Sequence, residues 1–346
     1  MATTTSGVSS PDPPKETQTA ATAASSLSQP PAENSAPLAA PVATASSPSE
    51  NSNAVLTQEP PAVESTPVGS KDSEESGPIA ELWNLALANG HPEVWGVTLA
   101  DPASHVPTRI ILQKYLNAND GDLVKAKDQL TKTLEWRAKT KPLELVNKVF
   151  SKAKFDRLGY VTTYMQAGSA EPEGKEVFTW NIYGATKSID ETFGKLEEFI
   201  EWRVALMELA LQDLDIASAT KPITAEDDPY KIFQVHDYKS ISFLRQSAHV
   251  RSASAETIKV FAQNYPELLK EKFFVNVPAV MGFVYAFMKL FVAAKTIKKF
   301  HPMANGGNLA QEFGQSKVTG LGERLPTNYG GKGGELQEQG RGPRLE

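Results

Sequence analysis

Residues 264–299, NYPELLKEKFFVNVPAVMGFVYAFMKLFVAAKTIKK, constrain what this chain can fold into more than any other stretch. Tyr265-Pro266-Glu267 closes a helical pattern. Phe273, Phe274, Val275 and Val277 then concentrate aromatic and β-branched side chains between Lys272 and Pro278, which predicts a short buried strand. From residue 279 to 294 nearly every position is apolar whichever helical face is counted, and Lys289 is the one charge. A helix apolar all round must be covered on every side by protein, lipid or a bound apolar ligand. At about 16 residues it falls short of the roughly 20 needed to span a bilayer, so it reads as a buried or lid helix. Lys295, Lys298 and Lys299 close it.

A chain of 346 residues, 40% of them apolar, is long enough for a large core. The absence of cysteine excludes disulfides, thiolate catalysis, Cys-ligated zinc and iron–sulfur clusters, and suits a cytosolic face. A net charge of -6 gives no field that would draw nucleic acid, so any anion site must be local. The N-terminus has neither the basic nor the apolar region of a secretory signal, and membrane contact is expected to be peripheral. Residues 1–77 hold Ala, Ser, Thr, Pro and Glu with almost no large apolar side chains. Burial there cannot offset the entropy of ordering, which predicts a disordered, solvated tail.

Order is expected from Pro78. Ile79, Leu82, Trp83 and Leu87 share one helical face, and Asn89-Gly90 ends that helix. A second helix is expected over residues 108–116. A long third one comes next, with Leu123, Ala126, Leu130, Leu134 and Ala138 on one face and Pro142-Leu143 closing it. This helical module, residues 78–145, is too small to bury its own tryptophans and should pack on the C-terminal part of the chain. Beyond residue 150 strands are predicted at 161–165, 177–183, 230–236, 273–277 and 300–303, with helices at 188–214 and 255–264. Residues 215–228 read as an exposed polar loop and residues 335–346 as a flexible tail. Alternating strands and helices argue for an α/β fold with a mostly parallel sheet. No GxGxxG, Walker, GxSxG or HExxH pattern occurs in it.

Candidate chemistry begins at His236-Asp237-Tyr238, at the end of a strand. Alternation points His236 and Tyr238 one way and Asp237 the other, so two ring donors could meet iron or a ligand carboxylate, or simply be hydrogen-bonded in place. Tyr183 ends the preceding strand. Arg203 is the one basic residue in the apolar run 199–209, either snorkelling outward or paired with a buried anion. Lys272 borders the Phe273 strand. Glu267, Thr296 and Lys299 bracket the apolar helix, where a carboxylate, a hydroxyl and an ammonium could grip a polyol phosphate or could be ordinary surface polarity.

Tyr-Pro-Glu at 265–267, the Phe-Val-Asn-Val-Pro run ending at Pro278, the apolar helix, Thr-x-x-Lys at 296–299 and the terminal Leu325-Pro-x-x-Tyr329-Gly-Gly331 together resemble the CRAL-TRIO lipid-binding domain of fungal phosphatidylinositol transfer proteins. The resemblance covers about residues 78–334. It implies a CRAL-TRIO domain over 150–334 after an N-terminal helical module, its sheet flooring an apolar pocket beneath a lid helix. It also implies a peripheral, non-enzymatic carrier of phosphatidylinositol whose headgroup residues match Glu267, Thr296 and Lys299. Trp180-Asn181-Ile182-Tyr183-Gly184, Glu201-Trp202-Arg203, Val235-His236-Asp237-Tyr238 and residues 272–278 are most similar to the non-classical, haem-binding branch. By that match Tyr238 is the axial ligand of ferric haem b and His236 its neighbour. Tyr183, Arg203 and Lys272 would line the pocket or meet the propionates. A cytoplasmic protein at endoplasmic reticulum or microsomal membranes, acting in phosphoinositide homeostasis and oxidant stress, is what the branch implies. A peroxidase-like haem enzyme, a carrier of another apolar ligand without iron and a purely structural interaction domain are the competing readings.

Overall fold

The computed structural model describes residues 77–169, 174–240, 247–277 and 294–346, all within one unit, Val68–Glu346. The expected disordered tail up to residue 76 and the expected lid helix, 279–294, except for its last residue, lie outside the described residues.

Helix α1, Pro78–Asn89, starts on a proline that needs no N–H partner and ends at Gly90, whose φ of 80° supplies the left-handed cap. Leu82 and Ala86 are its buried positions, while Leu87, expected on the same face, is exposed. Next comes a hairpin that the hydrophobic pattern does not predict. Strands β1, Glu93–Val94, and β2, Val97–Thr98, are joined by Trp95 and Gly96, both at positive φ. Helices α2, Val106–Ala118, and α3, Leu123–Thr140, complete the module, with Asp122 accepting the Lys125 N–H as an N-cap. The buried face of α3 is Ala126, Leu130, Thr133, Leu134 and Arg137, and Ala138, expected on that face, is exposed.

The module packs on the rest of the chain as its size requires. The Trp95 indole donates to the Asn264 carbonyl at 2.9 Å. Arg137, fully buried, meets Glu93 at 2.7 Å and Glu208 at 2.8 Å, and the Tyr265 hydroxyl donates to Glu208 at 2.7 Å. Pro142 opens a further helix, α4, Pro142–Asn147, where the sequence suggested only an ending. Strand β3, Val149–Phe150, and helix α5, Lys152–Phe155, lead into the main sheet.

That sheet has the order β4-β5-β6-β7-β8 among the described residues. Strands β4, Gly159–Met165, and β5, Lys175–Ile182, form an antiparallel pair. Strands β6, Ile232–Asp237, β7, Leu269–Val275, and β8, Phe300–Pro302, add in parallel. The expected 188–214 helix is two: α6, Ile189–Phe193, capped by Ser188, and α7, Leu196–Leu214. Helix α8, Ala248–Asn264, begins earlier than residue 255. Helices α7 and α8 cover the face carrying Val177 and Ile232. The opposite face carries Phe178, Trp180, Phe233, Val235, Phe273 and Val275 and is covered by Leu309, Phe313, Leu321, Leu325, Tyr329 and Leu336 from the C-terminal coil.

One expectation for a polar segment needs correction. Residues 335–346, expected as a flexible tail, form a helical turn at Leu336–Gln339, bridge Arg341 to Val161 and add strand β9, Arg344–Leu345, in parallel to β3. Backbone pairing and the Arg341–Asp213 ion pair hold this segment, although few of its side chains are apolar enough to announce it. The 215–228 loop is mostly exposed but is tied down by buried Ile216, Ala219 and Ile223.

Candidate functional site

Alternation along β5 and β6 puts Asn181, Gln234 and His236 on the helical face and Ile182, Val235 and Asp237 on the other. Continuing beyond the strand ends, Tyr183 and Tyr238 close over the same helical face. The Tyr183 ring centroid lies 5.5 Å from that of His236 and 5.7 Å from that of Tyr238, and Phe274 packs 5.6 Å from His236. Asp237 points away as expected, accepting from the Tyr329 hydroxyl and the Asn276 amide, each at 2.8 Å.

Lys272 is not the strand-end residue the sequence suggested. A β-bulge sets Ile232 and Gln234 opposite Leu269 and Lys272, so β7 carries one extra residue there. Without that bulge Glu271 would pair with Gln234. With it, the lysine faces the site, its ammonium 5.4 Å from the Phe274 ring and 5.5 Å from that of Phe300.

Arg203 on α7 is turned inward and is 2% exposed. It donates to the Asn181 side-chain oxygen, lies 5.2 Å over the Phe261 ring, and leaves its Nε without a partner. No carboxylate among the described residues pairs with Arg203 or Lys272. A buried guanidinium and a half-buried ammonium therefore share one site with no carboxylate partner among the described residues. Burial, helped by the Arg203 charge, lowers the Lys272 pKa to about 7. Burial also lowers that of Arg203. His236 is held well below its ordinary value by burial and then by Lys272 and Arg203, and its Nε2 is buried without a partner. The Tyr238 and Tyr183 phenols are pushed upward by burial, against the pull of Arg203.

A cleft of about 540 Å³ opens from this site between α8 and the start of β7. Its lining brings Arg203 and Lys272 together with Glu267, Thr296 and Lys299, while Tyr183, His236 and Tyr238 lie beyond that lining. The Lys299 N–H donates to the Thr296 carbonyl at 3.1 Å, and its ammonium donates to the Leu269 carbonyl at 2.8 Å. Burial lowers the Lys299 pKa, and Glu267 opposes that shift. Sequence reasoning missed Asn181, which orients Arg203, and Gln234 beside Lys272. It also missed Lys114, a lysine without solvent exposure on α2 that donates to the Glu267 carbonyl at 3.0 Å. The period-2 pattern of β5 and β6 would have exposed the first two, but nothing local marks Lys114.

An open sheet with one antiparallel edge, coil on one face and helices over a cation-lined cleft on the other defines an α/β protein whose cleft has a lining suited to an anionic, partly apolar ligand. The pattern of the CRAL/TRIO domain matches residues 145–331, and the chain belongs to that family. It is 83% identical over 269 residues to "Phosphatidylinositol transfer protein SFH5" of Chaetomium globosum, a match covering 78% of this chain and 62% of that protein, less than two thirds of its length. It is 60% identical over 292 residues to "Phosphatidylinositol transfer protein sfh-5" of Neurospora crassa, covering 82% of this chain and 80% of that one. Among solved structures, "Crystal structure of Sfh5" superposes with a TM-score of 0.62 at 26% identity, covering 80% of this chain and 95% of that one.

Proposed function

We propose that the protein binds phosphatidylinositol and exchanges it between membranes. The observation that carries this reading is the pair of cations, buried Arg203 and half-buried Lys272, with no carboxylate partner among the described residues, in the same cleft as Glu267, Thr296 and Lys299. The Thr296 hydroxyl and the Lys299 ammonium would take phosphate oxygens, and the Glu267 carboxylate would accept from ring hydroxyls. Anionic groups deeper in the cleft would supply the missing counter-charge to Arg203 and Lys272. The relatives' names support the same cargo. No helix among the described residues is long and apolar enough to cross a membrane. We propose peripheral contact on the cytosolic side of the endoplasmic reticulum because exchange of a membrane lipid requires the protein to meet a membrane and the resemblance to the haem-binding branch implies that one. Replacing Glu267 and Lys299 together with alanine should lower inositol-lipid transfer between vesicles at least tenfold. Unchanged transfer would sink the reading.

We further propose that the aromatic end of the site holds haem b, and the residues fit it. Tyr238 would ligate the iron, His236 offers a buried nitrogen with no partner, and Arg203 and Lys272 suit propionates. When bound, the group would supply ferric iron, whose charge favours the phenolate that burial otherwise disfavours. His236, held neutral by its lowered pKa, would add no third cation to the site. Haem and lipid would overlap near Arg203 and Lys272 and so compete. Tyr238→Phe should abolish the Soret band and the iron content of the purified protein. A spectrum identical to the parent's would reject the ligand assignment.

A further inference from the structure

We propose that Lys114 and Asp228 form a positioning pair that sets inositol-lipid recognition by fixing the backbone of Glu267, an inference that rests on the lipid reading above. Lys114 has no solvent exposure, and its ammonium meets both Asp228 oxygens at 2.9 and 2.6 Å, the Tyr230 carbonyl at 2.9 Å and the Glu267 carbonyl at 3.0 Å. Three N–H groups thus serve four acceptors, two of them on one carboxylate. The ammonium joins α2, the 215–228 loop and the turn before β7, which are remote in sequence.

The reason to assign this clamp a role beyond holding the fold lies in Glu267 itself. It sits at φ 55°, the left-handed region that a residue with a Cβ adopts at a cost. Leu268 beside it is fully buried, and its carbonyl accepts from the Ile232 N–H at 2.8 Å. With the next residue locked into the sheet and its own carbonyl held by Lys114, Glu267 has little freedom in where its side chain leaves the backbone. The Lys299 ammonium is anchored on the Leu269 carbonyl, two residues further on. The carboxylate and the ammonium proposed to grip the headgroup are therefore referenced to the same short piece of chain. A carboxylate accepting from ring hydroxyls needs placement within about 0.5 Å, which an unpinned left-handed turn would not keep.

The test is a double-mutant cycle on the full chain, read as phosphatidylinositol transfer between vesicles and corrected for the folded fraction by circular dichroism. If Lys114 acts through Glu267, Lys114→Met and Glu267→Ala each lower transfer roughly tenfold, and the double variant falls no further. Should Lys114→Met fail to fold, Asp228→Asn keeps the side-chain shape, weakens the clamp, and runs the same cycle. A double variant that loses about a hundredfold, the product of the two singles, overturns the proposal and leaves Lys114 a structural residue. A parent chain that moves no phosphatidylinositol at all instead removes the lipid reading and this inference with it. The two failures are thus distinguishable.

Discussion

Replacing Lys272 with methionine should make the ligand-free protein more stable at neutral pH and its grip on an anionic ligand weaker. A fall of the lysine pKa from its ordinary 10.5 to about 7 bounds the cost of holding this charge in the fold at about 5 kcal/mol near pH 7, using ~1.36 kcal/mol per decade. Lys272 keeps partial access to the cleft, so ~1–3 kcal/mol is the figure to expect. Proton counting gives the sign. Between pH 7 and 10.5 the unfolded chain holds a proton that the folded chain has released, so parent stability rises with pH across that window. Below about pH 7 both states are protonated and the full penalty applies. His236, depressed from 6.5, gives a separate rise that is complete above that pH, and Lys114, lowered to about 8, contributes equally to parent and variant. Urea denaturation of ligand-free protein at about pH 7 and about pH 9 reads the effect directly. Lys272→Met should gain ~1–3 kcal/mol over the parent at the lower pH and less at the higher. With an anionic ligand bound, the parent's rise should flatten, because the lysine stays charged in the fold. A variant less stable than the parent at neutral pH would refute the reasoning, since it would mean that the ammonium already has its counter-ion.

Arg137→Met should act in the opposite direction, because it leaves Glu208, 1% exposed, buried without its cation. A loss of about 3–5 kcal/mol is expected. At roughly 2–4 °C per kcal/mol that lowers the midpoint of a thermal scan by about 6–20 °C, and a change below about 2 °C would contradict the assigned burial. Truncation after Gly340 removes the bridge to Val161, the Asp213 ion pair and the pairing with β3. It should cost ~1–3 kcal/mol in the same scan, whereas a frayed tail would cost nothing.

What the sequence made legible and what it hid divide along a physical line. Strand cores such as Phe273–Val275 and Ile232–Val235, and the direction of His236 against Asp237, come from local composition and a period of two. They could be placed without a partner in view. Lys272 could not, because its orientation depends on a bulge that shows only when β7 is laid beside β6. Arg203 stands out among apolar neighbours, but its inward turn is decided by Asn181 and Phe261, which are remote in sequence. The C-terminal residues look like a tail because pairing with Val149–Phe150 uses backbone groups that carry no sequence signature. Lys114 is the extreme case. On α2 it reads as one more solvated lysine, and only the return of the chain at Asp228 and again at Glu267 turns it into a buried hub. Of the proposed ligand groups, those set by alternation were therefore readable in advance. Those set by long-range desolvation, the two cations without a carboxylate partner among the described residues and the clamp behind Glu267, carry the strongest functional argument because no local preference of the chain accounts for their withdrawal from water.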